Sequence, residues 1–264
     1  MSETPDAARG RPTGVLLSGI DRRAKDGFTG VLRAEGPASG VVVLREGRVV
    51  AAATPAAPGP ESLLLRSGRV SDADWTAAFA EGAPHGRLAE ALVARGAVGS
   101  AGVQILAATA LADAVFALAL RGVHTCAAEP LDAAATGGLL FLSPGLTGDD
   151  IVGETLRRLT EAAEWQPLGL TPAAIPARAS DAHAADPVLA AVNGRRTVRD
   201  LAFALGKGLF VTMRGVADLL ESGAVTLSPP ARDAAEPTGQ PGELPKRLRG
   251  ASDVVRVLPF RPDR

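Results

Sequence analysis

The chain has 264 residues and a formal net charge of −1, enough for one large domain or two small ones without a disulfide or metal staple. A single cysteine, Cys126, excludes an intramolecular disulfide framework and a cysteine-rich zinc module. The balanced charge gives no global attraction to nucleic acid or anionic membranes, and an aromatic content of 3% disfavours a stacking surface for single-stranded nucleic acid.

The N-terminal part of the chain predicts a small antiparallel sheet. Residues 1–13 are polar and have no apolar h-region, so we expect a disordered N-terminus without a signal peptide. A short helix is predicted over 14–23, and three extended segments follow at 27–34, 41–44 and 48–52. Because short turns separate these segments, they predict a β-meander.

Alternation along these strands identifies one candidate buried face. Its members are Val41, Val43, Val49 and Ala51.

The pattern then changes to a helical period. Ser71 is a predicted N-cap, with an acidic residue at the third helical position, before a helix that carries Trp75 and Phe79. A second helix is predicted over 88–95, and Ser100 is the predicted cap of a third. Both tryptophans, at 75 and 165, are interpreted as core or interface anchors rather than ligand stackers. Leu139 to Leu142 is a candidate strand.

The apolar stretch from Val103 to Leu120 is long enough to suggest a transmembrane helix. It consists mostly of alanine, which inserts weakly, and Asp113 lies near its middle. A central aspartate costs roughly 2.5–3.5 kcal/mol on insertion scales. We therefore interpret it as a buried core helix, and expect no membrane contact and a cytoplasmic location.

The C-terminal half predicts a second compact unit. Thr147 caps a helix that runs to Trp165, and prolines then mark a linker over 167–185. Three short helices and a strand follow within 186–228, with a tight turn between the second and third helices. This order is typical of a winged helix-turn-helix.

The predicted organisation is therefore an α+β protein, in which a small antiparallel β-meander domain with packed helices precedes a winged helix-turn-helix domain. The α+β domain spans 14–166 and includes a helical insertion. Residues 229–264 hold seven prolines and predict a disordered tail, in which Val254 to Leu258 is apolar enough to dock.

Two segments carry a resemblance to a known family. Residues 27–32, with the sequence GFTGVL, and residues 40–52, with GVVVLREGRVVAA, resemble the PatA-like N-terminal domain of bacterial regulators. The helices within 88–120 are similar to an insertion related to the N-terminal domain of type II secretion ATPases. Residues 192–202 are similar to the entry of winged-helix units fused to such domains. The resemblance implies a bacterial regulator and carries no catalytic residues.

Sequence motifs for catalysis and cofactor binding are missing. Gly206-Lys207 lacks both the upstream glycine and the following Ser or Thr of a P-loop, and the sequence has no G-x-G-x-x-G, G-x-S-x-G or H-E-x-x-H. His124 and Cys126 alternate at strand spacing, which permits a thiol–imidazole pair, but a partly buried histidine beside a small apolar cysteine is the favoured interpretation. We predict no enzyme, no cofactor and no metal.

Two functions stay open from the sequence. The first is a transcriptional regulator that binds double-stranded DNA through the winged-helix unit. The second is a protein–protein adaptor without DNA contact, and both allow a protein partner and a homodimer. The candidate nucleic-acid-binding residues are Arg195, Arg196, Arg199, Lys207, Thr212 and Arg214, and we expect the last two to be exposed on the third helix of the unit.

Overall fold

The computed structural model describes residues 12–131, 136–179 and 186–227. The predicted disordered N-terminus up to residue 11, part of the linker, the proline-rich tail and its Val254 to Leu258 segment lie outside the described residues. The described helices are α1 (Pro12–Lys25), α2 (Pro60–Leu65), α3 (Asp72–Gly82), α4 (Leu88–Ala94), α5 (Ser100–Arg121), α6 (Gly148–Glu164), α7 (Pro187–Ala191), α8 (Val198–Leu205) and α9 (Leu209–Glu221). The described strands are β1 (Gly30–Glu35), β2 (Gly40–Arg45), β3 (Arg48–Ala53), β4 (Thr125–Glu129), β5 (Pro176–Arg178) and β6 (Val225–Leu227).

The fold is α+β, with a four-stranded antiparallel sheet and packed helices. The strand order is β3-β2-β1-β4, so the predicted meander is confirmed and β4 returns to its free edge after α5. Glu46 and Gly47 form the turn between β2 and β3, both with positive φ, of 50° and 74°. Gly47 is required there because a Cβ would lie 2.4 Å from the carbonyl oxygen of Ala24.

Both faces of the β2–β3 part of the sheet are buried, which the prediction of one buried face missed. Val43 and Ala51 lie on the face covered by Leu139, with Val41 only partly buried beside them. Val49 packs on the opposite face, against the helices, so its predicted place beside Val43 is wrong. A β-bulge between β2 and β3 shifts the register there, and one extra residue reverses which face a side chain takes.

Local capping signals mark the starts of four of the described helices. Ser71 accepts a hydrogen bond from the Asp74 backbone N–H at the start of α3, as predicted. Thr147 and Thr197 each form a capping box with the aspartate three residues later, opening α6 and α8. The predicted Ser100 cap is wrong, because the N-cap of α5 is Gly99 and makes no side-chain cap.

Residues 139–142 do not form the predicted strand. The segment runs beside β3, and the backbone N–H of Leu142 donates to the Val50 carbonyl at 2.8 Å without an extended ladder. It nevertheless covers the outer edge and one face of β3, which explains its apolar composition.

Helix α5 is the central helix of the fold. Its length and composition would allow it to cross a membrane, with a mean hydropathy of 2.0 over 18 residues, yet 72% of that window is buried inside the protein. One side packs on the sheet through Leu111 and Val115, while Phe116 and Ala117 contribute to the core of the C-terminal helices. The sheet and the C-terminal helices therefore share α5.

The C-terminal elements form at the predicted positions. Helices α7, α8 and α9 enclose an aromatic centre, where Phe210 lies edge-on to Phe116 at 5.2 Å and 5.8 Å from Trp165. Strand β6 follows α9 and pairs antiparallel with β5, which lies inside the segment predicted as linker.

Candidate functional site

The start of α9 is held by a buried carboxylate from α5. Asp113 is 1% exposed, and its two oxygens accept one backbone N–H each, from Leu209 and, at 3.0 Å, from Phe210. The first N–H groups of a helix have no partner inside the helix, so Asp113 caps α9 from a distant part of the chain. Gly208 allows this approach, because a Cβ there would lie 3.2 Å from a carboxylate oxygen.

Opposing effects act on the pKa of the Asp113 carboxyl. Burial raises the pKa of the carboxyl, while the two backbone donors and Arg158 act in the opposite direction. The Arg158 Nη1 atom lies 3.6 Å from Asp113 Oδ1, and the same guanidinium pairs with Glu154 at 2.7 Å. An interhelical network from α5 through α6 thus fixes the first turn of α9.

The prediction that Thr212 is exposed on α9 is wrong. Thr212 is fully buried, and its hydroxyl donates to the Gly208 carbonyl at 2.9 Å. Thr212 lies on the side of α9 that faces the core, so it has no surface from which to contact a nucleic acid.

Arg214 is exposed as predicted, but it is already paired. Its guanidinium donates two hydrogen bonds to Glu161 of α6, at 2.5 and 2.7 Å, and lies over the Phe210 ring. This hydrogen bond from Arg214 is the largest cause of the lowered pKa of Glu161. A phosphate would have to displace a bidentate carboxylate to reach this arginine.

The exposed surface of α9 and the adjoining side of α6 is acidic in balance. We define it as the α6–α9 face. Its charged residues are Arg157, Glu161, Glu164, Arg214, Asp218 and Glu221. Four carboxylates against two arginines repel a phosphate backbone, whose binding depends on cationic side chains. The apolar Val211 is 53% exposed on the same helix.

The other candidate cations lie around α8. Arg195, Arg196 and Arg199 are exposed and form no ion pair within the described residues. The Asn193 side chain accepts hydrogen bonds from the backbone N–H groups of Arg195 and Arg196, which fixes the turn that presents them. Lys207 is half-buried at the opposite end of α8.

The turn between α8 and α9, which contains Lys207, has a basic neighbour that the sequence interpretation missed. At Gly206, whose φ is +60°, a Cβ would lie 2.9 Å from the Arg66 Cβ, so the loop after α2 contacts the turn between α8 and α9. The Arg66 Cβ therefore lies beside the backbone of the turn that precedes α9, although 139 residues of the chain lie between Arg66 and Gly206.

The possible thiol–imidazole pair has no activating geometry. Cys126 packs toward α1, where a Cβ on Gly19 would lie 3.5 Å from its sulfur, and burial raises the pKa of the thiol. His124 is exposed, and its backbone N–H donates to the Glu35 carbonyl. A raised pKa opposes the thiolate that nucleophilic catalysis needs. Among the described residues, no group of three or more His, Cys, Asp or Glu side chains is placed to hold a metal ion.

Comparisons with protein-family models, curated proteins and solved structures find no match to this chain.

Proposed function

We propose that this protein is a non-enzymatic cytoplasmic regulator that acts as an adaptor, binding a protein partner through the α6–α9 face rather than reading DNA with α9. The observation that carries the proposal is that both candidate DNA contacts on α9 are already engaged: Arg214 is paired with Glu161, and Thr212 is buried. What remains exposed on α9 is one large apolar side chain, Val211, among acidic residues. An exposed apolar residue within a charged rim suits a protein interface.

A second candidate function is a winged-helix transcriptional regulator, in line with the PatA-like resemblance. It is favoured by one observation, the three exposed arginines at the start of α8, which form no ion pair within residues 12–131, 136–179 and 186–227. In this alternative the β5–β6 pair would take the place of a wing, and a homodimer would double the small number of phosphate contacts.

Partner capture with matched surface variants tests the adaptor. Tagged wild-type chain, Val211→Glu and Val93→Glu would be expressed in the source organism, and co-purifying proteins quantified. Val93 is 38% exposed on α4 and serves as the control. We expect a partner that is lost from Val211→Glu, retained by Val93→Glu, and bound by the purified wild-type chain.

A partner bound equally by both variants would contradict the assignment to α9. Salt-sensitive, sequence-selective duplex binding that is lost in an Arg195→Glu plus Arg196→Glu variant would favour the second function instead.

A further inference from the structure

A cleft runs between α8 and the segment that joins β3 to α2. The adaptor function does not use it, and the transcriptional alternative shares only Arg199 with it. The cleft consists of two adjoining cavities of about 580 and 170 Å³, which share Thr54, Pro55 and Arg199 in their walls. The larger volume lies in the range of small-molecule sites, roughly 300–1,000 Å³. We call the whole feature the α8 cleft.

The larger cavity has an aromatic wall. Trp75 and Phe79 of α3 lie with ring centroids 5.9 Å apart and planes tilted by 40°, and Phe203 of α8 lines the same space. Phe79 is 42% exposed although it is a large apolar side chain, so part of it is accessible from solvent. Aromatic rings at these spacings can enclose a further planar ring by stacked or edge-on contact.

The smaller cavity has a cationic wall. Arg199 lies at the junction of the two cavities, and Arg121, the last residue of α5, lines the smaller one. Both side chains are exposed and have no ion pair within the described part of the chain. One acidic residue, Glu61, lines the larger cavity. Two guanidinium groups without carboxylate partners attract an anionic group to this end of the cleft.

The loop between these walls is fixed before any ligand arrives. Thr54 is buried, and its hydroxyl donates to the Ser39 carbonyl at 2.8 Å and accepts from the Ala56 N–H at 3.2 Å. A cleft that needs no reordering loses less entropy on binding.

We infer that the α8 cleft binds a small aromatic anion, with its ring against Trp75, Phe79 and Phe203 and its phosphate or carboxylate at Arg199 and Arg121. Because α3 and α8 both line the cleft, such a ligand would contact the helical insertion and the C-terminal helices together. This site gives the protein a small-molecule input that is separate from the α6–α9 face.

Fluorescence titration of the full chain tests the inference, with three probes chosen by chemistry. Anilinonaphthalene sulfonate is a ring system with a sulfonate, phenyl phosphate supplies a phosphate, and phenylacetate supplies a carboxylate on the same phenyl ring. Trp75 is the reporter in a Trp165→Phe background, because Trp165 lies outside the cleft. We expect saturable 1:1 binding of at least one probe. The affinities of the phosphate probe and the carboxylate probe then show which anionic group the cleft binds more tightly.

Matched variants locate the binding. Arg121→Gln plus Arg199→Gln should weaken the affinity at least about tenfold, because charge-assisted contacts to the anion are lost. Phe79→Ala should weaken it as well, while Arg22→Gln plus Arg69→Gln, two exposed arginines outside the cleft, should leave it unchanged. Absence of saturable binding for all three probes at millimolar concentration, or equal affinity in the Arg121 and Arg199 variant, would overturn the inference.

Discussion

Replacing Asp113 by alanine removes the cap that joins α5 to α9. The change leaves the N–H groups of Leu209 and Phe210 buried without an acceptor, and Arg158 loses one of its two carboxylate partners. Each unsatisfied buried donor costs about 1–3 kcal/mol, and breaking a buried ion pair from one side costs about 3–5 kcal/mol. Because burial already raises the pKa of Asp113 and disfavours its charged form, we expect a loss of about 5 kcal/mol, the lower end of the combined range.

Chemical denaturation of the full chain measures this loss. Asp218→Ala is the matched control, since Asp218 is an exposed aspartate of α9 and its removal should change the free energy of unfolding by less than about 0.5 kcal/mol. Asp113→Asn should fall between the two, because an amide offers one acceptor oxygen where two backbone N–H groups need acceptors. An Asp113→Ala protein as stable as the control would refute the capping role.

Three further changes test the packing and electrostatics. Val43→Asp buries an unpaired charge inside the sheet and should lower the free energy of unfolding by several kcal/mol. The control Ala127→Asp, at an exposed position, should leave the melting temperature unchanged. Equal melting temperatures for the two variants would contradict the strand packing. The hydrogen bond from Arg157 is the main cause that lowers the pKa of Glu154 from its ordinary value of 4.5 to about 2, so this carboxylate stabilises the fold above pH 4.5 and the gain is lost as the pH falls toward 2. Glu154→Gln should therefore flatten the acid limb of a stability–pH profile, and an unchanged limb would exclude this origin. Gly206→Ala places a Cβ at φ +60° against neighbouring backbone and should cost about 1 kcal/mol or more by urea denaturation, while a neutral result would contradict the left-handed turn.

The elements that the sequence predicts well are those with local signals. Ser71, Thr147 and Thr197 cap helices with an acidic residue three positions later, and these starts are read directly from the chain. The turn at Gly47 joins two β-branched strands in the same way. Such signals depend on a few neighbouring residues, so they need no knowledge of the rest of the fold.

What the sequence could not supply is the set of contacts between distant segments. The bulge that moves Val49 to the other face depends on how two strands pair, and no residue type marks it. Thr212 was placed on the wrong side of α9 because the helical period gives an apolar face but not how far burial extends around it. Arg214 and Glu161 are 53 residues apart, and Asp113 is 96 residues from Leu209. The sequence indicates that Asp113 opposes membrane insertion of its apolar helix, but it does not indicate which groups this carboxylate contacts.

Fluorescence anisotropy of labelled duplexes tests most directly whether α9 is unsuited to DNA. Wild-type chain, Arg195→Glu plus Arg196→Glu, and Glu161→Gln, which frees Arg214 from its carboxylate, would be titrated against a genome-derived duplex library at two salt concentrations. We expect no sequence-selective binding by the wild type, and at most a weak, salt-sensitive gain in Glu161→Gln. Tight, selective binding by the wild type that is abolished in the double-arginine variant would contradict the adaptor proposal.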